Sequence, residues 1–172
     1  EGNAPVLRGK WANYASIVSD PDAHKDPSLF NHFTQINAAK MLCFKETHLF
    51  ATAHVVHPFL CSKMEHLFSN FPDAFKNNIT HRFRDLSQFL PQGLHNHACI
   101  NDGSVVLSLE EDHTHIWSGI GLTSPSGDTH ALLKSASEHQ VKFLCVNDLP
   151  QLEIIIPNVR TFISRAVAPK IS

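Results

Sequence analysis

Apolar residues in this chain come as short runs separated by polar breaks, and most of the runs read as strands. They include Lys40-Met41-Leu42-Cys43-Phe44, Leu49-Phe50-Ala51-Thr52-Ala53, Ser104 to Leu109, Ala131-Leu132-Leu133, Val141 to Val146 and Leu152 to Ile156. They are four to seven residues long or close to it, and bounded by turn formers such as Asn101-Asp102-Gly103 or Pro125-Ser126-Gly127-Asp128. Helical periodicity is confined to Cys61 to Phe71 and to Pro157 to Ile163, the latter read as a terminal helix. The first 30 or so residues carry turn signals at Pro5, Asp20-Pro21-Asp22 and Asp26-Pro27 and read as an arm with a short helix at most. Many short strands between turns predict an all-β barrel or sandwich, with a boundary between two halves in the stretch from Gln92-Gly93 to Asn101-Asp102-Gly103.

Length and composition narrow the class. The 172 residues suffice for one medium domain or two small barrels, and 42% hydrophobic with 17% charged residues is ordinary globular composition. No apolar stretch is long enough to span a membrane, and no signal peptide is visible. The opening Glu1-Gly2-Asn3 reads as a processed or engineered end. The formal net charge of -2 supplies no global attraction to nucleic acid or anionic lipid, so such contacts would need a local patch. Four cysteines do not demand a disulfide framework, and reduced thiols are expected although Cys43 and Cys61 bracket His54.

The candidate chemistry centres on Phe50-Ala51-Thr52-Ala53-His54, a strand delivering small residues to a histidine. This resembles the catalytic-histidine segment of chymotrypsin-like proteases. The stretch His81-Arg82-Phe83-Arg84-Asp85-Leu86 followed by Phe89-Leu90-Pro91 is similar to the connector between the two barrels of picornavirus 3C proteases. The resemblance covers roughly residues 35 to 165. It implies an all-β, chymotrypsin-like fold of two six-stranded barrels with a short C-terminal helix. The arm and first barrel would occupy 1–92, and the second barrel with the helix 93–172, together one protease domain. It implies an endopeptidase processing a viral polyprotein in the host cytoplasm, with no organic cofactor or metal.

In that reading His54 is the general base and Ser126, in Ser124-Pro125-Ser126-Gly127, the nucleophile, with Ser124 and Ser126 at the oxyanion hole. Cys145 is the rival nucleophile, although its apolar strand is more typical of inert packing. Asp85 or Asp73 would orient the imidazole. Ser124 stands where the family has glycine, and the family's glutamine-reading histidine is missing near Cys145. By the same resemblance His81, Arg82 and Arg84 would contact RNA. Two alternatives stay open: an inactive protease-like barrel that binds RNA or a protein, and a zinc-stabilised β-module. The second draws on thirteen histidines, some alternating as in His95, His97 and Cys99 or His113 and His115, which could hold zinc with a ligand from elsewhere.

Overall fold

The structure, a computed structural model, describes residues 4–109, 113–116, 131–136 and 142–167. The chain forms two compact units, one of Glu1–Ala53 with His57–Leu109 and the other of His54–Val56 with Glu110–Ser172. Among the described residues about 52% are helical and 17% are in strands, with only small sheets and no closed barrel. The expected two-barrel, all-β chymotrypsin-like fold is therefore incorrect.

The first unit opens with β1 (Val6–Ala12) and α1 (Ala15–Ser19). Two 3-10 turns lead to α2 (Phe30–Lys40), then β2 (Leu49–Thr52), α3 (Cys61–Asn70), α4 (Pro72–Thr80), α5 (Pro91–Asn101) and β3 (Val106–Ser108). The strands form one sheet in the order β2-β1-β3, with β2 antiparallel and β3 parallel to β1. Gly9 faces Thr52 across the antiparallel pair, and any Cβ there would collide with the Ala51 carbonyl oxygen and the Phe50 ring. The stretch Lys40 to Phe44, expected as a strand, instead closes α2. Cys43 takes a left-handed backbone with φ 64°, and the Phe44 N–H returns to the Ala39 carbonyl at 3.1 Å, as in a Schellman cap. Pro72 and Pro91 each stand in the first turn of a helix, where their missing N–H costs nothing.

Helix α5 lies at the centre of the first unit. Gly93, Leu94, His95, Asn96, His97 and Cys99 are all buried, so the helix is covered on nearly every side. Gly93 lets α2 approach closely, since a Cβ there would sit 3.3 Å from the Ala38 Cβ. Leu94 joins Ala38, Leu67, Phe75 and Phe89 in the main core, while Ile36 and Ala39 of α2 pack with Leu49 and Ala51 of β2 in a second cluster. The two histidines inside this helix each take a backbone partner from another element. His97 Nδ1–H donates to the Gly93 carbonyl at 2.7 Å, and its Nε2 accepts the Phe50 N–H of β2 at 3.1 Å. His95 Nε2 accepts the Leu60 N–H at the start of α3, at 2.9 Å.

The second unit pairs β4 (His113–Ile116) with β5 (Phe143–Val146) in parallel, with residues 131–136 helical between them in sequence. It continues with α6 (Leu149–Ile155) and α7 (Val159–Val167). Ile116, Leu133, Leu152, Ile156 and Val159 form its core. Two expected strands are helical here, at 131–133 and at 152–155. Leu152, Ile156 and Val159 recur at steps of four and three and are all buried, whereas Ile154 is 84% exposed. A strand would have buried Ile154 and Ile156 together.

Burial holds the His97 imidazole below its ordinary pKa, partly offset by the bond to Gly93. An unfolded histidine takes up its proton near pH ~6.5. The unfolded state therefore binds more protons in the window below that value. The stability from neutral His97 is complete above about pH 6.5 and is lost as pH falls through the lower folded pKa. His97→Leu strands the Phe50 N–H in the core, which should cost about 1–3 kcal/mol at neutral pH. It should also flatten the acid side of the stability curve. Urea denaturation of both proteins from pH 5 to 8 checks this, and parallel curves would contradict the role of His97.

Candidate metal centre

His54 lies just beyond β2, separated from it by Ala53. The Ala53 N–H donates to the Arg8 carbonyl at 3.0 Å, ending the strand ladder, and His57 Nε2 reaches the Ala53 carbonyl at 2.7 Å. Between them His54–Val56 belong to the second unit. There His115 of β4 and Cys145 of β5 are partners in the parallel register, which places their side chains on one face of the pair. The His54 ring stacks on the His115 ring with centroids 3.9 Å apart and planes inclined by 23°. One donor atom from each of His54, His115 and Cys145 lies within 4.8 Å of the others.

Two imidazoles and a thiol are the donor set that zinc accepts. At zinc bond lengths two nitrogens and one sulfur stand roughly 3.3–3.6 Å apart, so closing the set asks for movements on the order of an ångström. His115 is held below its ordinary pKa, first by burial and then by repulsion from His54 and His113. Low pKa favours the neutral imidazole, the form that binds metal. Burial raises the Cys145 thiol, whose Sγ–H points to Asn147 Oδ1 at 3.5 Å. A metal would have to displace that proton. His113 lies two residues before His115 on the same strand face, and its Nδ1 is buried without a hydrogen-bond partner.

The residues expected to form a protease site are distributed differently. Ser124 and Ser126 lie outside the described residues. Asp85 and His54 belong to different units. Asp85 accepts the Ser87 N–H and hydroxyl at 2.9 and 2.6 Å, which lowers its pKa, the side-chain bond most. Asp73 occupies the first turn of α4, where a carboxylate complements the helix dipole. Cys145 is brought to His54, yet its raised thiol pKa is the reverse of what an activated nucleophile needs. Of the alternating histidines, His95 and His97 are structural, whereas His115 enters the cluster. The sequence marked His54, His115 and Cys145 separately, but no ligand spacing joined them. Comparison with family models, with curated proteins and with solved structures finds no match to this chain.

The metal-free thiols should differ in reactivity. Cys43 and Cys61 are exposed, Cys99 is buried, and Cys145 is half-buried with a raised pKa. Iodoacetamide at pH ~7 in the presence of chelator should alkylate Cys43 and Cys61 well before Cys145 and Cys99. Peptide mapping over time reads the order. Fastest alkylation at Cys145, abolished by His54→Ala, would instead show an activated cysteine.

Proposed function

We propose that this chain is a zinc-binding protein in which His54, His115 and Cys145 are ligands. The observation that carries the reading is the convergence of two imidazoles and one thiol within 4.8 Å, two of them fixed by strand register. Three protein ligands leave a fourth position for water or a further side chain, and His113 is the described residue nearest along the same strand face. The ion would tie the His54 segment to the β4–β5 pair across more than 50 residues of sequence, a long loop whose closure constrains the unfolded chain. The expectation of a chymotrypsin-like endopeptidase loses its scaffold with the corrected fold.

Cobalt titration of the full chain should saturate at one equivalent and produce a thiolate-to-metal charge-transfer band. Cys145→Ala should remove the band, and His54→Ala or His115→Ala should weaken binding by more than the roughly 10- to 100-fold typical of outer-shell changes. Affinity should fall with falling pH, because thiol and imidazoles must release protons. A band that survives Cys145→Ala, or no saturable binding, would contradict the assignment.

A second reading concerns the first unit. Phe83 is 75% exposed, and the Arg82 guanidinium lies 5.3 Å from its ring centroid. Arg84 lies over the Phe30 ring at the same distance, and His81 is adjacent in sequence. An exposed ring flanked by cations favours single-stranded RNA, through base stacking and phosphate contacts. Binding to an oligouridylate should weaken steeply with salt, and Arg82→Ala should lower the salt slope by about 0.7. Unchanged binding in both Phe83→Ala and Arg82→Ala would dismiss this surface.

A further inference from the structure

The turn after α4 gathers a second chemical cluster, unrelated to the metal ligands. Its backbone is tightly held. Asn37 Nδ2 donates to the Leu86 and Gln88 carbonyls at 2.7 and 2.8 Å, and Gln88 Nε2 donates to the Asn78 carbonyl at 2.8 Å. The Asp85 N–H donates to Gln88 Oε1 at 2.9 Å, and the Phe89 N–H to Asn78 Oδ1 at 2.8 Å. Within this frame Ser87 Oγ stands 3.3 Å from His81 Nε2, while His81 Nδ1 stands 3.9 Å from Asp85 Oδ2. In the resting arrangement the hydroxyl proton points to Asp85 Oδ1 at 2.6 Å. Rotation about the Cβ–Oγ bond redirects it to the imidazole. His81, Ser87 and Asn78 line a cavity of about 310 Å³ whose apolar wall includes Met41, Ala74 and Phe89.

We infer that Ser87, His81 and Asn78 form a hydrolytic site for esters with a small apolar acyl group, with Asp85 as the positioning residue for His81. A nucleophile and a base within reach, a carboxylate behind the base, an amide donor and a cavity of small-ligand size are the parts acyl transfer requires. Ser87 Oγ attacks the ester carbonyl carbon and its proton passes to His81 Nε2, which holds a lone pair when Nδ1 carries the proton toward Asp85. The carbonyl oxygen takes up the negative charge. Asn78 Nδ2–H, oriented because Oδ1 is held by Phe89, supplies a hydrogen bond to it. Collapse breaks the bond to the leaving alkoxide, which receives the proton from His81. Water then repeats the sequence, releasing the acid and restoring Ser87.

The test uses the full chain with a fluorophosphonate probe and p-nitrophenyl acetate. Peptide mapping of the labelled parent should place the phosphonyl group on Ser87, a reading that requires no variant to fold. Ester hydrolysis should persist with chelator, which separates this site from the metal reading. His81→Gln should lower the rate by about 10²-fold or more, and Asn78→Ala by about 10²-fold. Asp85→Asn should slow labelling and Asp85→Glu should restore part of it. A parent that does not label, a label only on another serine, or hydrolysis unchanged in Ser87→Ala would each overturn the inference.

Discussion

Two backbone N–H groups, those of Phe50 and Leu60, end inside the first unit, and the fold depends on what accepts them. Both acceptors are imidazole nitrogens of one buried helix, His97 for Phe50 and His95 for Leu60. An uncompensated N–H in such a place costs on the order of 1–3 kcal/mol, so each ring holds its strand or helix end firmly. The segment between these two points carries His54. Its ends are fixed by α5, while its middle, His54–Val56, belongs to the other unit. The histidines of this buried helix therefore do structural work within the first unit, and the proposed ligand chemistry falls to a histidine on the segment they anchor.

This arrangement explains which parts of the fold were legible. The runs at Leu49–Thr52, Val106–Ser108 and Phe143–Val146 are strands, and α3 and α7 follow the helical periodicity seen at Cys61 and Val159. The two helices each bury a single stripe, at Leu67 and at Val159, so their period survives in the sequence, whereas β2, with Leu49, Phe50 and Ala51 all buried, is legible as a short continuous apolar run. Helix α5 does not have one buried face. Covered all round, with Gly93, His95 and Asn96 in its interior, it shows no amphipathic stripe and has weak helix formers, and it reads as a linker. Leu152 to Ile156 misleads for the opposite reason. Its three consecutive isoleucines suggest a strand, yet exposure of Ile154 and burial of Leu152, Ile156 and Val159 show a helical period.

The site was legible in its parts and not in its assembly. His54 stood out because small residues precede it, and the His113/His115 alternation already suggested metal ligands needing a partner from elsewhere. What no local pattern could supply was the register that sets Cys145 opposite His115, or the excursion that takes His54 into the second unit. Asp85 drew notice as an acid for His54; its actual partners are Ser87 and His81, close in sequence and fixed by one turn. Short-range chemistry of this kind is easily mistaken for half of a long-range motif.

The proposed joint ligation of one metal ion by His54, His115 and Cys145 fixes the composition of the coordination shell. X-ray absorption at the zinc edge, on the full chain loaded with one equivalent, tests it most directly. Joint ligation gives a low-coordinate shell of two imidazole nitrogens and one sulfur near 2.3 Å, completed by at most one further light ligand. A shell without sulfur, or a six-coordinate oxygen shell, would contradict it.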